Sequence, residues 1–344
     1  MSAPAPLLAA ARRERTPFTP IWLMRQAGRY MAEYRAIRAR HGFLELCKNP
    51  EAAAEVTLQP VDRLGVDAAI LFADILLIVE PLGVGLEFGT GDGPRIARPV
   101  RGDADVARLG AIDVDSALGF VFDTVARVKK ALAGRVPLIG FAGAPFTVAS
   151  YVVEGGASRD YLHVKRLMYD APAAWTRLMD VLVDGTARYL NGQIAAGAEA
   201  VQVFDSWVGA LAPADYRAFV LPHMKALFAK LTPGTSAIHF GTGTAGLLPL
   251  MREAGGDVIG LDWRVDLRDG WARVGHDVAV QGNLEPAVLL APLPYIRKRA
   301  RAVLDAAGGR AGHIFNLGHG IHKDTPVDHV KALVDIVHEL SDRR

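Results

Sequence analysis

The sequence has few of the residues that would tie it to an oxidising or membrane environment. Cys47 is the only cysteine among 344 residues, so an intrachain disulfide and a cysteine-rich metal site are both excluded. We interpret Cys47 as a small buried residue and expect a reducing, cytoplasmic location. The longest stretch without Asp, Glu, Lys or Arg, residues 231–251, is broken by two prolines and four glycines. That stretch is therefore not a membrane-spanning helix.

A strong net charge is also lacking. The chain has 39 basic and 37 acidic residues, a net charge of +2, which disfavours a protein that binds nucleic acid through bulk charge. Hydrophobic residues make up 51% and charged residues 22% of the chain, as in globular proteins and unlike disordered ones. With no linker or low-complexity tract, we predict one domain over residues 1–344, of which residues 1–15 form a flexible N-terminal tail.

Seven short apolar runs predict strands that are buried on both faces, as in parallel sheets. The runs cover residues 66–72, 137–141, 200–204, 236–240, 258–261, 278–281 and 313–317. Helical patterns lie between them; Asn49-Pro50 and Thr325-Pro326, for example, are typical helix starts. The alternation predicts an α/β fold with a parallel sheet. Seven strands are one short of a (β/α)8 barrel, and either residues 21–24 or the Gly-rich hairpin at residues 86–100 could supply the eighth.

Polar residues follow several of these runs. In a barrel, the carboxyl ends of the strands meet at one mouth, where active sites lie. The candidates are Asp74, Ser206, Asp262, Asn283 and His319. For Asp262 and Asn283, capping of the following helix is an equally good interpretation.

Arginines are concentrated near the N-terminus. Residues 1–45 hold eight arginines and three acids, a local charge of +5. Arg25 and Arg29 are four residues apart and would share one face of a helical turn, and Gly28 permits close approach of the backbone. The neighbouring Trp22 indicates a buried setting, in which an arginine needs an anion. Because guanidinium binds carboxylates and phosphates bidentately, we predict a site for a small molecule with several such groups.

Two long motifs resemble signatures of the uroporphyrinogen decarboxylase family. They are PIWLMRQAGR at residues 20–29 and GFAGAPFTVASYVVEG at residues 140–155. Shorter blocks match in family order at residues 71–76, 204–207, 260–263, 281–286 and 315–320. The resemblance implies a distorted (β/α)8 TIM-type barrel and a homodimer with facing clefts. It also implies loss of CO2 from the four acetates of uroporphyrinogen III, giving coproporphyrinogen III, without a metal or organic cofactor.

The same resemblance assigns roles to individual residues. The implied substrate-binding residues are Arg25, Gln26, Ala27, Gly28, Arg29, Asp74, Tyr151, Ser206 and His319. Asp74 would accept hydrogen bonds from the pyrrole N–H groups, and Arg25, Arg29 and Tyr151 complete the implied catalytic set. The proton donor is either Tyr151 or Arg25 acting through a carboxyl group or water. Phe204 would pack against the macrocycle, and Arg38 would assist at the rim.

Three other functions compete with this interpretation. Residues 241–246 match G-x-G-x-x-G, with Asp262 about 20 residues later, as in NAD-dependent oxidoreductases; in a barrel the same glycines form a loop at the mouth. Corrinoid-linked methyltransferases of the same superfamily use zinc, for which one cysteine cannot supply paired thiolates. The third alternative is a tetrapyrrole-binding protein without turnover.

Overall fold

Seven parallel strands form one curled sheet in the computed structural model, which describes residues 4–88 and 93–343. They are β1 (Ala69–Ile70), β4 (Leu138–Gly143), β5 (Ala200–Asp205), β6 (Ser236–Gly241), β7 (Val258–Gly260), β8 (Ala279–Gln281) and β9 (His313–Ile314). They lie side by side in that order. Every strand falls within or overlaps one of the seven apolar runs, so the predicted α/β fold with a parallel sheet is confirmed.

Residues 20–22 lie between the two edges of this sheet. Beside β9, the Trp22 N–H donates to the Phe315 carbonyl at 3.4 Å, and Ile21 forms a parallel bridge with Phe315. Beside β1, the Asp67 N–H donates to the Ile21 carbonyl at 2.8 Å. The segment therefore occupies the eighth position and closes the barrel. This confirms the first of the two predicted alternatives.

The predicted hairpin is present but lies outside the barrel sheet. β2 (Leu86–Phe88) and β3 (Pro94–Ile96) pair antiparallel, while residues 89–92 between them are outside the described residues. Just beyond the hairpin, Arg101 donates to the carbonyls of the last two residues of α7 (Pro145–Glu154). A cation at this position satisfies free carbonyls and complements the negative end of the helix.

Helices cover the outside of the barrel. In addition to α7 they are α1 (Pro6–Ala11), α2 (Ala32–Arg38), α3 (Phe43–Cys47), α4 (Pro50–Leu64), α5 (Asp103–Val106), α6 (Val114–Leu132), α8 (Leu162–Asp170), α9 (Pro172–Ala196), α10 (Pro213–Phe219), α11 (Leu221–Ala229), α12 (Leu248–Ala254), α13 (Leu267–Val274), α14 (Leu293–Ala307) and α15 (Val327–Ser341). Three short 3-10 helices cover Leu77–Leu82, Val208–Ala210 and Pro286–Leu290. The predicted start of α4 is confirmed, because the Asn49 side chain accepts from the N–H groups of Glu51 and Ala52.

The first helix contradicts the flexible tail predicted at residues 1–15. α1 packs against β8 and β9, and Leu7 and Ala10 are buried. Pro6 at the first helical position and the Leu/Ala run after it favour a helix, and the barrel covers its apolar face. The prediction is wrong for residues 6–11, and residues 1–3 are outside the described part of the chain.

A chain of hydrogen bonds crosses the barrel interior. Trp22 Nε1 donates to Gln281 Oε1 at 2.9 Å, and Gln281 Nε2 donates to Gln202 Oε1 at 2.9 Å. All three side chains are buried. The chain joins the closing segment to β8 and β5, so the position of the residues after Trp22 is fixed from inside the barrel.

Two smaller expectations can be compared with the structure. Cys47 is buried, as predicted, and burial raises the pKa of its thiol. Over the described ranges, none of the helices combines the length and apolarity needed to cross a bilayer.

Candidate active site

The first motif forms an irregular loop, residues 22–31, which we call the arginine loop. Helix α2 begins only after it, at Ala32. Arg25 has a left-handed backbone with φ of 61°, and both Arg25 and Arg29 are exposed, whereas Trp22 is buried. The expectations of a shared helical face and of buried arginines are therefore wrong. The apolar neighbours enter the barrel while the two guanidinium groups remain outside it.

Arg25 lies against the last loop of the barrel. A Cβ at Gly320 would overlap Arg25 Cδ, and one at Gly28 would be 2.9 Å from the Arg25 carbonyl oxygen. Only glycine leaves this space free. Among the residues that the structure describes, no carboxylate lies within ion-pair distance of Arg25 or Arg29. Both guanidinium groups are therefore available to an anionic ligand.

The arginine loop is held by Gln26. Its Oε1 accepts from the Leu23 N–H and its Nε2 donates to the Ala68 carbonyl, both at 3.0 Å. Tyr30 Oη donates to the Gln26 carbonyl at 2.6 Å. Gln26 is completely buried, so its side chain positions the loop, and its predicted substrate contact stays a prediction. Ala27 and Gly28 are half-buried, and their predicted contacts stay predictions.

Asp74 is half-buried in a turn that follows β1. Its Oδ1 accepts from the Leu76 N–H at 2.8 Å, and the helix that follows is capped at Leu76 rather than at Asp74. Burial raises the pKa of Asp74 to about 6, although the Leu76 hydrogen bond and the charge of Arg25 oppose the rise. Asp74 is therefore ionised at neutral pH and lies within electrostatic range of Arg25.

Tyr151 reaches the same region from α7. Burial raises the pKa of its hydroxyl, Trp207 opposes the rise through a hydrogen bond, and the charges of Asp74 and Arg25 act in opposite directions. The Tyr151 and Trp207 rings meet edge to face with centroids 6.0 Å apart. No role is predicted for Trp207 from the sequence. Its position just after a predicted strand, residues 200–204, is the feature that could have placed it at the mouth of the barrel.

His319 lies on the last loop, beside a second tryptophan. The rings of His319 and Trp263 meet edge to face at 6.0 Å, and the Arg264 guanidinium lies 3.8 Å from the Trp263 ring centroid. Burial, Arg25 and Arg264 together lower the pKa of His319 to about 4. The imidazole is therefore neutral at physiological pH and can both donate and accept one hydrogen bond. Trp263 and Arg264 are cleft residues that the sequence analysis did not assign.

The end of β5 supplies an aromatic layer and a hydroxyl. Phe204 packs edge to face against Phe141 at 5.5 Å and Phe240 at 6.0 Å. Ser206 is half-buried, and within the described residues its hydroxyl has no hydrogen-bond partner. Both residues occupy the carboxyl end of a barrel strand, as predicted. Arg38 donates to the His41 carbonyl and lies over Phe43, so part of its guanidinium is used by the protein.

The glycine loop at residues 241–246 is built differently from a nucleotide-binding turn. Asp262 Oδ2 accepts from the Gly243 N–H at 2.5 Å and from Arg264 Nη1 at 2.8 Å. Asn283 Nδ2 donates to the carbonyls of Asp262 and Val265 at 2.8 and 2.7 Å. The helix after Asp262 is capped by Asp266, and the 3-10 helix after Asn283 has Glu285 at its N-cap, so neither Asp262 nor Asn283 is a helix cap. Both hold the loops of the mouth together, and Asp262 is not free to bind a ribose.

The fold and this cleft define a class of protein: a barrel enzyme whose mouth presents unpaired arginines and an ionised carboxylate with a raised pKa. Strongly perturbed titratable groups that share one cleft indicate a catalytic site. Asp74, Tyr151 and His319 meet this description, and the charge of Arg25 acts on the pKa of all three. Arg29 lies farther along the rim, where its charge acts on Asp324.

The chain belongs to the uroporphyrinogen decarboxylase family. The sequence model of the family described as Uroporphyrinogen decarboxylase (URO-D) matches residues 3–340. A curated uroporphyrinogen decarboxylase of Carboxydothermus hydrogenoformans is 56% identical over 335 residues, covering 97% of this chain and 96% of the relative. Another, from Sorangium cellulosum, is 57% identical over 334 residues, covering 97% and 95%. The family predicted from the motifs is confirmed.

Solved structures share the fold at low sequence identity. A methyltransferase from Methanosarcina mazei aligns with a TM-score of 0.80 at 21% identity, covering 97% of both chains. A putative vitamin-B12-independent methionine synthase from Listeria monocytogenes aligns with a TM-score of 0.60 at 10% identity, covering 95% of this chain and 97% of that one. At these identities the likeness concerns the fold, so the methyltransferase alternative gains no support from it.

Proposed function

We propose that the cleft converts uroporphyrinogen III to coproporphyrinogen III by removing CO2 from its four acetate side chains. The observation that carries the proposal is the grouping of Arg25, Asp74, Tyr151 and His319 around one cleft in a chain of this family. A substrate with eight carboxylates needs cations at the mouth, and four pyrrole N–H groups need an acceptor deeper inside. The exposed arginines and the ionised Asp74 provide these two features.

The reaction needs an electron sink, because loss of CO2 from a pyrrole acetate would otherwise leave a poorly delocalised carbanion. Protonation of the adjacent ring carbon gives an iminium-like ring. The bond between the acetate methylene and its carboxylate then breaks, its electron pair enters the ring, and CO2 leaves. A second proton adds to the methylene carbon, and loss of the first restores the pyrrole. Each acetate thus becomes a methyl group with net uptake of one proton.

Asp74 would stabilise the positive charge that develops on the ring. Its Oδ1 is held by the Leu76 N–H, so the carboxylate is oriented before the substrate arrives. Such preorganised charge is often the largest single contribution to catalysis. Arg25 and Arg29 would hold carboxylates and determine which acetate reaches the reacting position, which is a positioning effect.

Tyr151 is the better of the two candidate proton donors. Burial raises the pKa of its hydroxyl, so the group carries its proton at neutral pH, whereas Arg25 would have to act through a carboxyl group or water. His319 would contribute a neutral hydrogen-bonding group, since its pKa is lowered to about 4.

The test is anaerobic incubation of the purified protein with uroporphyrinogen, followed by oxidation and chromatography of the porphyrins. We expect coproporphyrin to accumulate without an added metal or organic cofactor. Tight binding without any loss of carboxylates would instead identify a tetrapyrrole-binding protein. Dependence on NAD would support the oxidoreductase alternative.

We also propose that the protein acts as a homodimer in the cytoplasm and that its chain behaves as one domain. The single buried cysteine is compatible with a reducing compartment. Sedimentation equilibrium at micromolar concentration should give twice the chain mass, and a monomer at all concentrations would contradict the dimer. A single cooperative unfolding transition is expected for one domain.

A further inference from the structure

Two side chains that the proposed chemistry does not use join α7 to the loop after β5. Thr147 Oγ1, one turn before Tyr151 on α7, donates to Asp205 Oδ1 at 2.9 Å. The same oxygen accepts from the Trp207 N–H at 3.2 Å. We call Thr147, Asp205 and the Trp207 N–H the threonine clamp. It links the helix that carries Tyr151 to the loop that carries Ser206 and Trp207.

The Thr147 hydroxyl uses both of its functions in these hydrogen bonds. A hydroxyl has one proton to donate, and with Asp205 Oδ1 as its acceptor the oxygen lone pair is left for the Trp207 N–H. Valine has nearly the same shape but offers neither bond, whereas serine offers both. The site therefore has a nearly isosteric variant that breaks the clamp and a conservative variant that keeps it.

Within the described residues, the Asp205 carboxyl group accepts one hydrogen bond, from Thr147. The residue is completely buried, and its Oδ2 has no hydrogen-bond partner among the described residues, as is also true of the hydroxyl of the nearby buried Tyr216. Burial raises the pKa of Asp205 to about 7. Burying a carboxyl group costs free energy. The effect of this buried group is to orient the Thr147 hydroxyl.

The aromatic contacts show what the clamp positions. Trp207 lies between two tyrosines: its ring centroid is 6.0 Å from that of Tyr151 and 6.1 Å from that of Tyr161. The Ala144 N–H donates to the Phe204 carbonyl at 2.9 Å, which ties the start of α7 to the end of β5. This backbone bond does not reach Trp207, so the clamp is the bond that fixes the Trp207 backbone relative to α7.

We infer that Thr147 and Asp205 are positioning residues, which hold Trp207 and Ser206 in register with Tyr151 for the decarboxylation. The inference deepens the proposed function and rests on it. Since the clamp does not touch Arg25 or Arg29, it should affect the chemical step while leaving the capture of substrate carboxylates unchanged.

The experiment compares Thr147→Val with Thr124→Val in the full-length protein. Thr124 is also buried, but its hydroxyl donates only to the Phe120 carbonyl of its own helix, α6. A misplacement of about 1 Å can cost roughly 100-fold in rate. We expect Thr147→Val to lower kcat by about 10- to 100-fold with KM within about twofold, and Thr124→Val to leave both within about twofold. Circular dichroism at the assay temperature verifies that both variants are folded.

Two further variants make the result decisive. Thr147→Ser should restore kcat to within about threefold of the original value, because it keeps both hydrogen bonds. If Thr147→Val does not fold, Asp205→Ala, which removes the acceptor that orients the Thr147 hydroxyl toward the Trp207 N–H, should show a smaller loss in kcat in the same direction, at constant KM. Combining either variant with Tyr151→Phe should give less than the product of the two separate losses.

Some outcomes would overturn the inference. Equal kcat values for Thr147→Val and Thr124→Val would reduce the clamp to a packing feature, as would full additivity with Tyr151→Phe. A loss in kcat that Thr147→Ser does not restore would count against it as well. Failure of the proposed function is distinguishable, because the unsubstituted protein would then release no CO2 in the same assay.

Discussion

The two walls of the cleft differ in the solvent exposure of their polar groups. In the arginine loop, the guanidinium groups of Arg25 and Arg29 are exposed, and the buried amide of Gln26 holds the backbone beneath them. On the wall formed by α7 and the end of β5, Thr147 and Asp205 are enclosed. Within the described residues, the guanidinium groups of the first wall have no ion-pair partner in the protein. The polar groups of the second wall are buried away from water.

We infer that the first wall binds the substrate carboxylates and that the second wall supports the chemical step. Exposed arginines attract carboxylates over about a Debye length, and a guanidinium group is weakly hydrated, so little desolvation opposes its contact with a carboxylate. Groups withdrawn from water act more strongly on developing charge and need little reorganisation during the reaction. Substitutions on the first wall should therefore change KM, and substitutions on the second should change kcat.

Asp74→Ala gives the largest expected effect. Removing a preorganised charge aimed at the transition state typically costs 10²–10³ in rate, so we expect kcat to fall by about that factor while KM changes little. Asp74→Asn is the matched variant, with the same shape but no charge, and should be similarly impaired. Activity near the original level in Asp74→Ala would remove this residue from the mechanism.

Arg25→Ala should mainly raise KM. A hydrogen bond to a charged group contributes about 1.5–3 kcal/mol, which corresponds to a rise of roughly 10- to 100-fold. Arg25→Lys should recover only part of the loss, because an ammonium group lacks the planar fork. Arg127→Ala is the control, since Arg127 is exposed on α6 away from the described cleft. A loss confined to kcat would contradict the division between the walls.

The acid limb of the pH profile should belong to Asp74. Its functional form is the carboxylate, and burial raises its pKa to about 6. As the pH falls through 6 the carboxylate is protonated, so kcat/KM should fall about tenfold per pH unit below that point. His319 is already neutral there, with a pKa of about 4. His319→Gln should therefore lower activity without moving the midpoint, and a shift of the midpoint would assign the limb to the imidazole instead.

Gln26→Leu gives the smallest expected effect and acts on stability. It leaves the Leu23 N–H and the Ala68 carbonyl buried without their partner, which should cost about 1–3 kcal/mol in the free energy of unfolding. Denaturant unfolding measures the loss. Gln59→Leu is the control, because the Gln59 Oε1 has no hydrogen-bond partner among the described residues. An equal loss for both variants would show that Gln26 does not hold the arginine loop in place.

The sequence predicted the elements that repeat a simple physical pattern. All seven strands of the sheet lie in continuous apolar runs, because parallel strands are buried on both faces. The eighth position rests on backbone bonds of residues 20–22, and the apolar run at residues 21–24 predicted it only as one of two alternatives, beside the hairpin at residues 86–100. Helix α1 was mistaken for a tail because six residues are too few for a clear helical period.

The loops of the site were less predictable. Asp74, Tyr151 and His319 lie within electrostatic range of Arg25, and their roles stay predictions, whereas the burial of the arginines inferred from apolar neighbours is wrong. The left-handed backbone at Arg25 changes the direction of its side chain, so the burial of the neighbouring residues does not indicate where the guanidinium group lies. Thr147 and Trp207 meet only through tertiary structure, so no local pattern marks the clamp.

The pairing of Ile21 with Phe315 also has a consequence for the order of events during synthesis. The first barrel segment to leave the ribosome pairs with the last one, so the barrel cannot close until the C-terminal part of the chain has emerged. Contacts between such distant parts of a chain form late and slowly. The arginine loop directly follows this closing segment, and Met24 N–H donates to Asn316 Oδ1 at 3.0 Å. A nascent or C-terminally truncated chain would therefore carry the arginines without the geometry to use them.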